Sequence, residues 1–277
     1  MKFVSIKPTF APKKETMQNK SEWFANWFDS PYYHILYQNH NAQSAKDFMD
    51  NLFQNLTPQY TTLGNANSYK ILDLACGKGR HSRYMASKGF DVTGTDLSEN
   101  SINFARQFES DNLSFFQHDM RKSFRINYFD FIFNIFTSFG YFDKEADNVT
   151  ALKCVAEGLK SDGVFILDYF NSNWVRHTMI PNYTQTAAGI DFHIKKHIEN
   201  GHIYKTIKFE AASEDGGQSV KTKYKFQEKV RLFSLAEFED IFETAGLKII
   251  EKFGDYNLNP FDEQNSNRLI IKAVKNG

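Results

Sequence analysis

Leu72-Asp73-Leu74-Ala75-Cys76-Gly77-Lys78-Gly79-Arg80 decides how the rest of the chain is read. The apolar run from Lys70 to Ala75 reads as a buried strand that enters a tight turn with two glycines, and a helix begins near Arg80. Glycine permits the backbone angles of such a turn and lets a ligand come close to the main chain. The start of the helix adds free N–H groups and the positive end of its dipole. A Gly-x-Gly turn is common, so Gly77 and Gly79 suit a plain strand–helix turn as well as a ligand cradle.

Working outward, the same alternation repeats. Phe90 to Thr95 is a second strand, followed by Asp96 and a helix from near Ser98; Leu113 to Gln117 is a third. Phe129 to Ile135 is a fourth, apolar almost throughout, as expected of a strand covered on both faces. Val149, Leu152, Ala156 and Leu159 have helical spacing, Ser161-Asp162-Gly163 reads as a turn, and Val164 to Leu167 is a fifth strand. Strands alternating with helices predict a parallel sheet with crossover connections, an α/β fold. After about Asn171 the period becomes two: Ile190, Phe192 and Ile194, then Tyr224, Phe226, Val230 and Leu232 among Lys223, Lys225, Lys229 and Arg231. Such strands have one wet face and are usually antiparallel, with a loop expected at Glu214 to Gly217. Ser234 and Glu237 fit a capping box for a helix with the apolar stripe Phe238, Ile241, Phe242 and Ala245, closed by Gly246. Leu247 to Phe253 and Arg268 to Val274 are the last strands.

The resulting division is a flexible leader at 1–20, an aromatic helical lid at 21–63, a ligand-binding α/β domain at 64–176 and 233–277, and an antiparallel β insertion at 177–232. The lid segment holds Trp23, Trp27, Tyr32, Tyr33 and Tyr37, and Pro31 breaks it. Formal net charge is zero, which gives no general reason to expect a nucleic-acid or membrane partner. Cys76 and Cys154 are the two cysteines; they offer neither a disulfide framework nor metal-ligand spacing, so no metal is expected and a reducing cytoplasm is the simplest compartment. No run is long and apolar enough to span a bilayer.

Two acidic residues strengthen the cradle reading. Asp96 ends the second strand, where nucleotide-binding folds place a carboxylate for ribose hydroxyls. Asp119, in His118-Asp119-Met120 after the third strand, stands where an adenine amino group could be held. Taken in order, Asp73 to Arg80, Val92 to Ser98, His118 to Arg121, Phe129 to Asn134 and Ser161 to Val164 resemble the successive motifs of class I S-adenosylmethionine-dependent methyltransferases. The resemblance covers roughly residues 64 to 171. It implies a Rossmann-like, seven-stranded, mostly parallel sheet with an inserted antiparallel β subdomain and an N-terminal helical segment. It also implies S-adenosyl-L-methionine as cofactor. Asp73, Gly77 and Gly79 would line its methionine part, Ala75 and Arg80 would also contact the cofactor, Asp96 would hold the ribose, Leu97 would flank the adenine, and Asp119 and Met120 would contact the adenine. Asn134 would face the sulfonium. The inserted strands resemble, loosely, members that methylate small molecules such as amino sugars.

Methyl transfer from a sulfonium is an in-line displacement that neutralises the sulfur, so alignment and exclusion of water matter more than a strong acid or base. The segment Phe136 to Phe142 would sit over the methyl, which makes Tyr141 a catalytic candidate beside Asn134; Tyr33 is the candidate from the lid. Aromatic faces stabilise cations, though Tyr33 and Tyr141 equally suit simple packing. A nicotinamide-dependent oxidoreductase would prefer a third glycine where Ser82 stands. Asn134-Ile135-Phe136-Thr137 departs from the Asn/Asp-Pro-Pro-Tyr pattern of many nucleic-acid base methyltransferases, which disfavours a nucleic-acid partner. The basic row Lys223, Lys225, Lys229 and Arg231 reads as a solvated face or as contact with an acidic substrate or RNA. The expected function is therefore methyl transfer to a small-molecule N or O acceptor by a monomer or homodimer. The alternatives are an RNA or protein methyltransferase and a non-catalytic cofactor-binding module.

Overall fold

The computed structural model describes residues 23–37, 42–56, 69–215 and 218–276. The expected leader lies outside them. Three helices open the described chain: α1 (Trp23–Phe28), α2 (Pro31–Leu36) and α3 (Ala42–Leu56). Pro31 starts α2 rather than merely interrupting a helix. Its missing N–H costs nothing in the first turn, and the Ser30 side chain caps the backbone N–H of Tyr32.

Next come β1 (Lys70–Leu74), α4 (Arg80–Ser87), β2 (Asp91–Asp96), α5 (Glu99–Ala105), β3 (Leu113–Gln117), β4 (Phe129–Asn134), α6 (Glu145–Gly158), β5 (Leu159–Phe170) and α7 (Ser172–Thr178). The antiparallel strands β6 (Asn182–Ala187), β7 (Ile190–Glu199), β8 (His202–Asp215) and β9 (Gln218–Arg231) follow. The chain closes with α8 (Leu235–Thr244), β10 (Leu247–Phe253) and β11 (Arg268–Lys275). The main sheet has seven strands in the order β3-β2-β1-β4-β5-β11-β10; β1 to β5 pair in parallel, and β11 runs antiparallel to both β5 and β10. The order reverses beside β1, so the carboxyl ends of β1 and β4 flank a crevice, the usual ligand position in open α/β sheets.

Two expectations change locally. Leu159 and Ser161-Asp162-Gly163, read as helix end and turn, belong to β5, whose pairing with β4 shifts register between Phe129 and Phe131. The strand continues to Phe170, so Asp168 lies inside it. α7 was not foreseen; Asn171 caps it through Asn173 N–H. The expected loop at 214–217 falls partly on residues outside the described set.

The chain divides into two units by internal contacts. The smaller comprises residues 1–38, 180–197 and 205–228; the larger comprises 39–179, 198–204 and 229–277. In the smaller unit β6 and β7 pair antiparallel through Ala188-Gly189, both at positive φ, the geometry of a tight hairpin turn. Trp27, Leu36, Phe192, Ile194, Ile207 and Phe209 form its core. Glu228 occupies a core-facing position among apolar residues and is satisfied there. It accepts hydrogen bonds from Trp27 Nε1 (2.8 Å) and the Tyr37 hydroxyl (2.6 Å), and pairs with Lys205 at 3.7 Å. In the larger unit Phe48, Met49, Leu52 and Phe53 of α3 bury against Ile71, Phe131, Phe133 and Ile166 of the sheet. Of the expected lid segment, α1 and α2 thus fall in the smaller unit and α3 in the larger.

Candidate functional site

The turn after β1 takes its shape from alternating backbone handedness. Ala75, Gly77 and Gly79 have φ of 64°, 55° and 75°. Alternation of this kind turns successive N–H groups into a concavity that suits a carboxylate or phosphate. The glycines serve different ends. A Cβ on Gly79 would meet the Phe115 ring at 2.5 Å, so this glycine lets the turn press onto β3. Around Gly77 nothing lies within 4 Å of that position: the main chain faces open space, as a cradle for a ligand requires.

Asp96, at the end of β2, ties this turn to its own strand. It accepts the Gly77 N–H at Oδ2 and the Ser98 N–H at Oδ1, both at 2.8 Å. The Cys76 N–H donates to the Thr95 carbonyl at 2.9 Å. Asp73 is fully buried beneath the turn and accepts the Ser82 hydroxyl at 2.5 Å. Burial pushes its carboxyl up to about 6; Ser82 and Arg80 pull it down and Asp96 adds to the rise. Asn134, at the end of β4, donates to the Leu74 carbonyl at 3.0 Å, while its buried Oδ1 has no donor among the described residues. A buried acceptor without a donor is rare enough to point to a ligand's donor.

Ala75, Gly77, Gly79, Arg80, Asp73, Asp96 and Asn134 are therefore brought to one end of the sheet. Leu97 follows directly, its carbonyl accepting from Gln117 Nε2 at 3.1 Å. Asp119 has a partner within its own loop. Arg121 grips it with its side chain, Nη2 to Oδ2 at 2.7 Å, and reaches Asp147 at 3.1 Å. Burial works against the charge on Asp119, but the Arg121 hydrogen bonds outweigh it and hold the carboxyl below its usual range. Met120 lines a small apolar cavity with Leu72, Leu74, Phe129 and Val155. Tyr33 lies in the smaller unit, its ring against Trp27, Phe28 and Tyr37. Tyr141 donates to the Thr137 carbonyl at 2.8 Å, which holds the loop after β4.

That loop contains what sequence reasoning missed. Phe136 and Thr137 both have φ of 59°, a conformation that costs a non-glycine residue energy and is especially poor for a β-branched one. Phe136 stacks on His81 of α4, ring centroids 4.9 Å apart and 16° between planes. Burial, with help from Arg80, lowers the His81 pKa to about 3, so the imidazole is neutral near pH 7. The signal for this arrangement was Asp168, a charge inside the apolar run Val164 to Phe170.

The basic row resolves into pairs. Lys223 meets Glu210 at 3.7 Å, Lys229 meets Asp143 at 2.9 Å, and Arg231 meets both Glu145 and Glu237. Only Lys225 of the four is without an ion pair among the described residues, which weakens the case for a polyanionic partner. Among these residues no helix is long and apolar enough to cross a membrane.

A seven-stranded sheet of this order with a glycine turn, an acidic end to β2 and an open backbone at Gly77 is the architecture of an adenosyl-cofactor enzyme. Residues 71–163 match the family model described as a methyltransferase domain, and the chain is similar to S-adenosylmethionine-dependent methyltransferases. It is 28% identical over 221 residues to YqeM of Bacillus subtilis (strain 168), named as a methyltransferase, covering 74% of this chain and 84% of that one. It is also 28% identical over 215 residues to the dTDP-3-amino-3,4,6-trideoxy-alpha-D-glucopyranose N,N-dimethyltransferase of Streptomyces venezuelae, covering 75% and 84%. A methyltransferase structure from Clostridium acetobutylicum ATCC 824 superposes with a TM-score of 0.69 at 20% identity, covering 91% of this chain and 99% of that one.

The residues present fit S-adenosyl-L-methionine. The open space at the Gly77 backbone leaves room for its methionine part, the unsatisfied Asn134 Oδ1 suits the ammonium, and Asp96 suits the ribose hydroxyls.

Proposed function

We propose that the enzyme transfers the methyl group to an amine of a small molecule, with an amino sugar as the first acceptor class to test. When bound, the cofactor supplies an electrophilic methyl on a sulfonium. The chain's residues then need only hold it, align the acceptor and keep water away. Asp96 and the Gly77 backbone hold the adenosyl and methionyl parts. Asp73, Ala75, Gly79 and Arg80 shape the methionine side, Leu97 flanks the adenine, and Asn134 Oδ1 receives the ammonium. Asp119 and Met120 remain our adenine candidates, with Arg121 oriented through Asp119. Tyr141 acts by holding the loop after β4, and Tyr33 is the candidate from the aromatic N-terminal segment.

The observation that carries this reading is the open, carboxylate-tied glycine turn beside a buried Asn134 acceptor. The amine class is supported by the similarity to a sugar N,N-dimethyltransferase over three quarters of the chain. The pairing of the basic row argues against RNA. Cys76 and Cys154 are both free thiols, which fits a cytoplasmic enzyme.

The test is a mass-spectrometric assay with S-adenosylmethionine and three acceptors in parallel: nucleotide-linked amino sugars, bulk tRNA and a protein extract. Successive methyl additions to the amino sugar support the reading. Methylation of tRNA or protein alone, with the sugars untouched, overturns it.

A further inference from the structure

Asp168 ties together several segments of the larger unit. It is fully buried in β5, and each of its oxygens holds a different part of the larger unit. Oδ1 accepts the Arg268 guanidinium, at 2.8 Å from Nε and 2.6 Å from Nη2. Oδ2 accepts the Phe136 N–H at 2.8 Å and the Tyr256 hydroxyl at 3.2 Å. Its main-chain carbonyl accepts the Thr137 N–H at 3.0 Å. Arg268 then reaches past the carboxylate to the Thr137 hydroxyl at 3.0 Å. Every one of these bonds ends on, or braces, the two consecutive residues held at positive φ.

We propose that Asp168 and Arg268 are positioning residues for methyl transfer: together they clamp Phe136 and Thr137 in a strained conformation that sets the Phe136 ring against His81 at the start of α4. Strained backbone persists only where its surroundings over-determine it, and such outliers concentrate at functional sites. Six contacts made by the side chains of Asp168, Arg268 and Tyr256 and by the Asp168 carbonyl are that surrounding. Phe136 directly follows the strand bearing Asn134, while His81 and Arg80 directly follow the glycine turn. The Arg80 guanidinium lies 5.5 Å from the Phe136 ring centroid, and Tyr256 and Phe48 press the ring from other sides. The clamp thus locks the loop after β4 to the turn that holds the cofactor. A relaxed loop would let the reacting partners drift from the aligned geometry on which an in-line displacement depends.

Two full-length variants test this. Asp168→Asn places an amide N–H₂ opposite either Arg268 or the Phe136 N–H and breaks one arm of the clamp. Thr137→Gly leaves the Asp168–Arg268 pair whole, tolerates positive φ and removes the hydroxyl handle. The readouts are hydrogen exchange at the Phe136 and Thr137 amides, calorimetric affinity for S-adenosylhomocysteine, and kcat and KM on the acceptor from the amino-sugar assay. Exchange at both amides should speed up by about tenfold and kcat fall by about tenfold or more. Affinity for S-adenosylhomocysteine should stay within about threefold, because the Asp96 tie is untouched. Should Asp168→Asn not fold, Thr137→Gly decides alone, with an unchanged or raised melting temperature expected. Unchanged exchange at Phe136 and Thr137, or unchanged kcat in the folded variants, overturns the proposal. Should no amino sugar be methylated by the wild type, the acceptor class fails, while amide exchange still decides the clamp.

Discussion

At the residue scale Asp73 couples the site to pH. Burial pushes its pKa up to about 6, above the usual carboxylate range, so the folded chain holds the proton more tightly than the unfolded one. Its contribution to stability is therefore complete below the unfolded value and is lost as pH rises through about 6. A cationic ligand reverses the preference, because a sulfonium and an ammonium favour the ionised carboxylate. Cofactor affinity should accordingly rise as pH increases through about 6, and Asp73→Asn should flatten that rise. Titration calorimetry between acidic and neutral pH checks it; a wild-type profile as flat as the variant's would remove Asp73 from the cofactor's electrostatics.

At the scale of single elements, the turn between β1 and α4 separates two uses of glycine. Gly79→Ala drives a methyl group into the Phe115 ring as well as imposing positive φ on alanine, so its damage falls on folding. Overpacking costs about 1–3 kcal/mol and the left-handed backbone about 1–2 kcal/mol more. Gly77→Ala meets no protein atom and bears only the backbone cost, so its main effect should be weaker cofactor binding. Melting curves and calorimetry on the two variants should show this crossed pattern; equal loss of affinity at equal stability would refute the division. The motif from Leu72 to Arg80 was legible because its strand–turn–helix pattern is local. The clamp on Phe136 was not, since it joins residues on β5, β11 and two loops whose meeting depends on β11 inserting between β5 and β10. Likewise Ser161-Asp162-Gly163 has turn composition, yet the segment joins β5, where a Cβ added at Gly163 would meet the Phe129 carbonyl at 3.0 Å. Glu228 shows the same limit in the smaller unit. Period-two alternation marks its position as inward, but only Trp27, Tyr37 and Lys205, remote in sequence, explain a carboxylate there.

For the molecule as a whole, the seven-stranded α/β sheet and the antiparallel strands were readable because hydrophobic period distinguishes buried parallel strands from half-wet ones. The allegiance of the N-terminal helices was not, because aromatic content alone does not say which core receives them. α3 supplies Phe48, Met49, Leu52 and Phe53 to the larger unit, whereas α1 and α2 belong to the smaller. Removing residues 1–56 should therefore destabilise the larger unit, each lost core side chain counting for about 2–5 kcal/mol. Removing residues 1–38 leaves that core intact. If Tyr33 and its helix act on the acceptor, the shorter deletion lowers turnover while cofactor binding survives; thermal unfolding and calorimetry on both truncations distinguish the cases. Full turnover by the shorter truncation would dismiss the lid role. Above all, cofactor binding depends on the carboxylate that ties the glycine turn to β2. Titration of S-adenosylhomocysteine into the wild-type protein and Asp96→Ala measures it directly. Saturable binding by the wild type, weakened by about 1–3 kcal/mol in the variant, is the predicted result; equal affinity in both proteins, or no binding to the wild type, would contradict it.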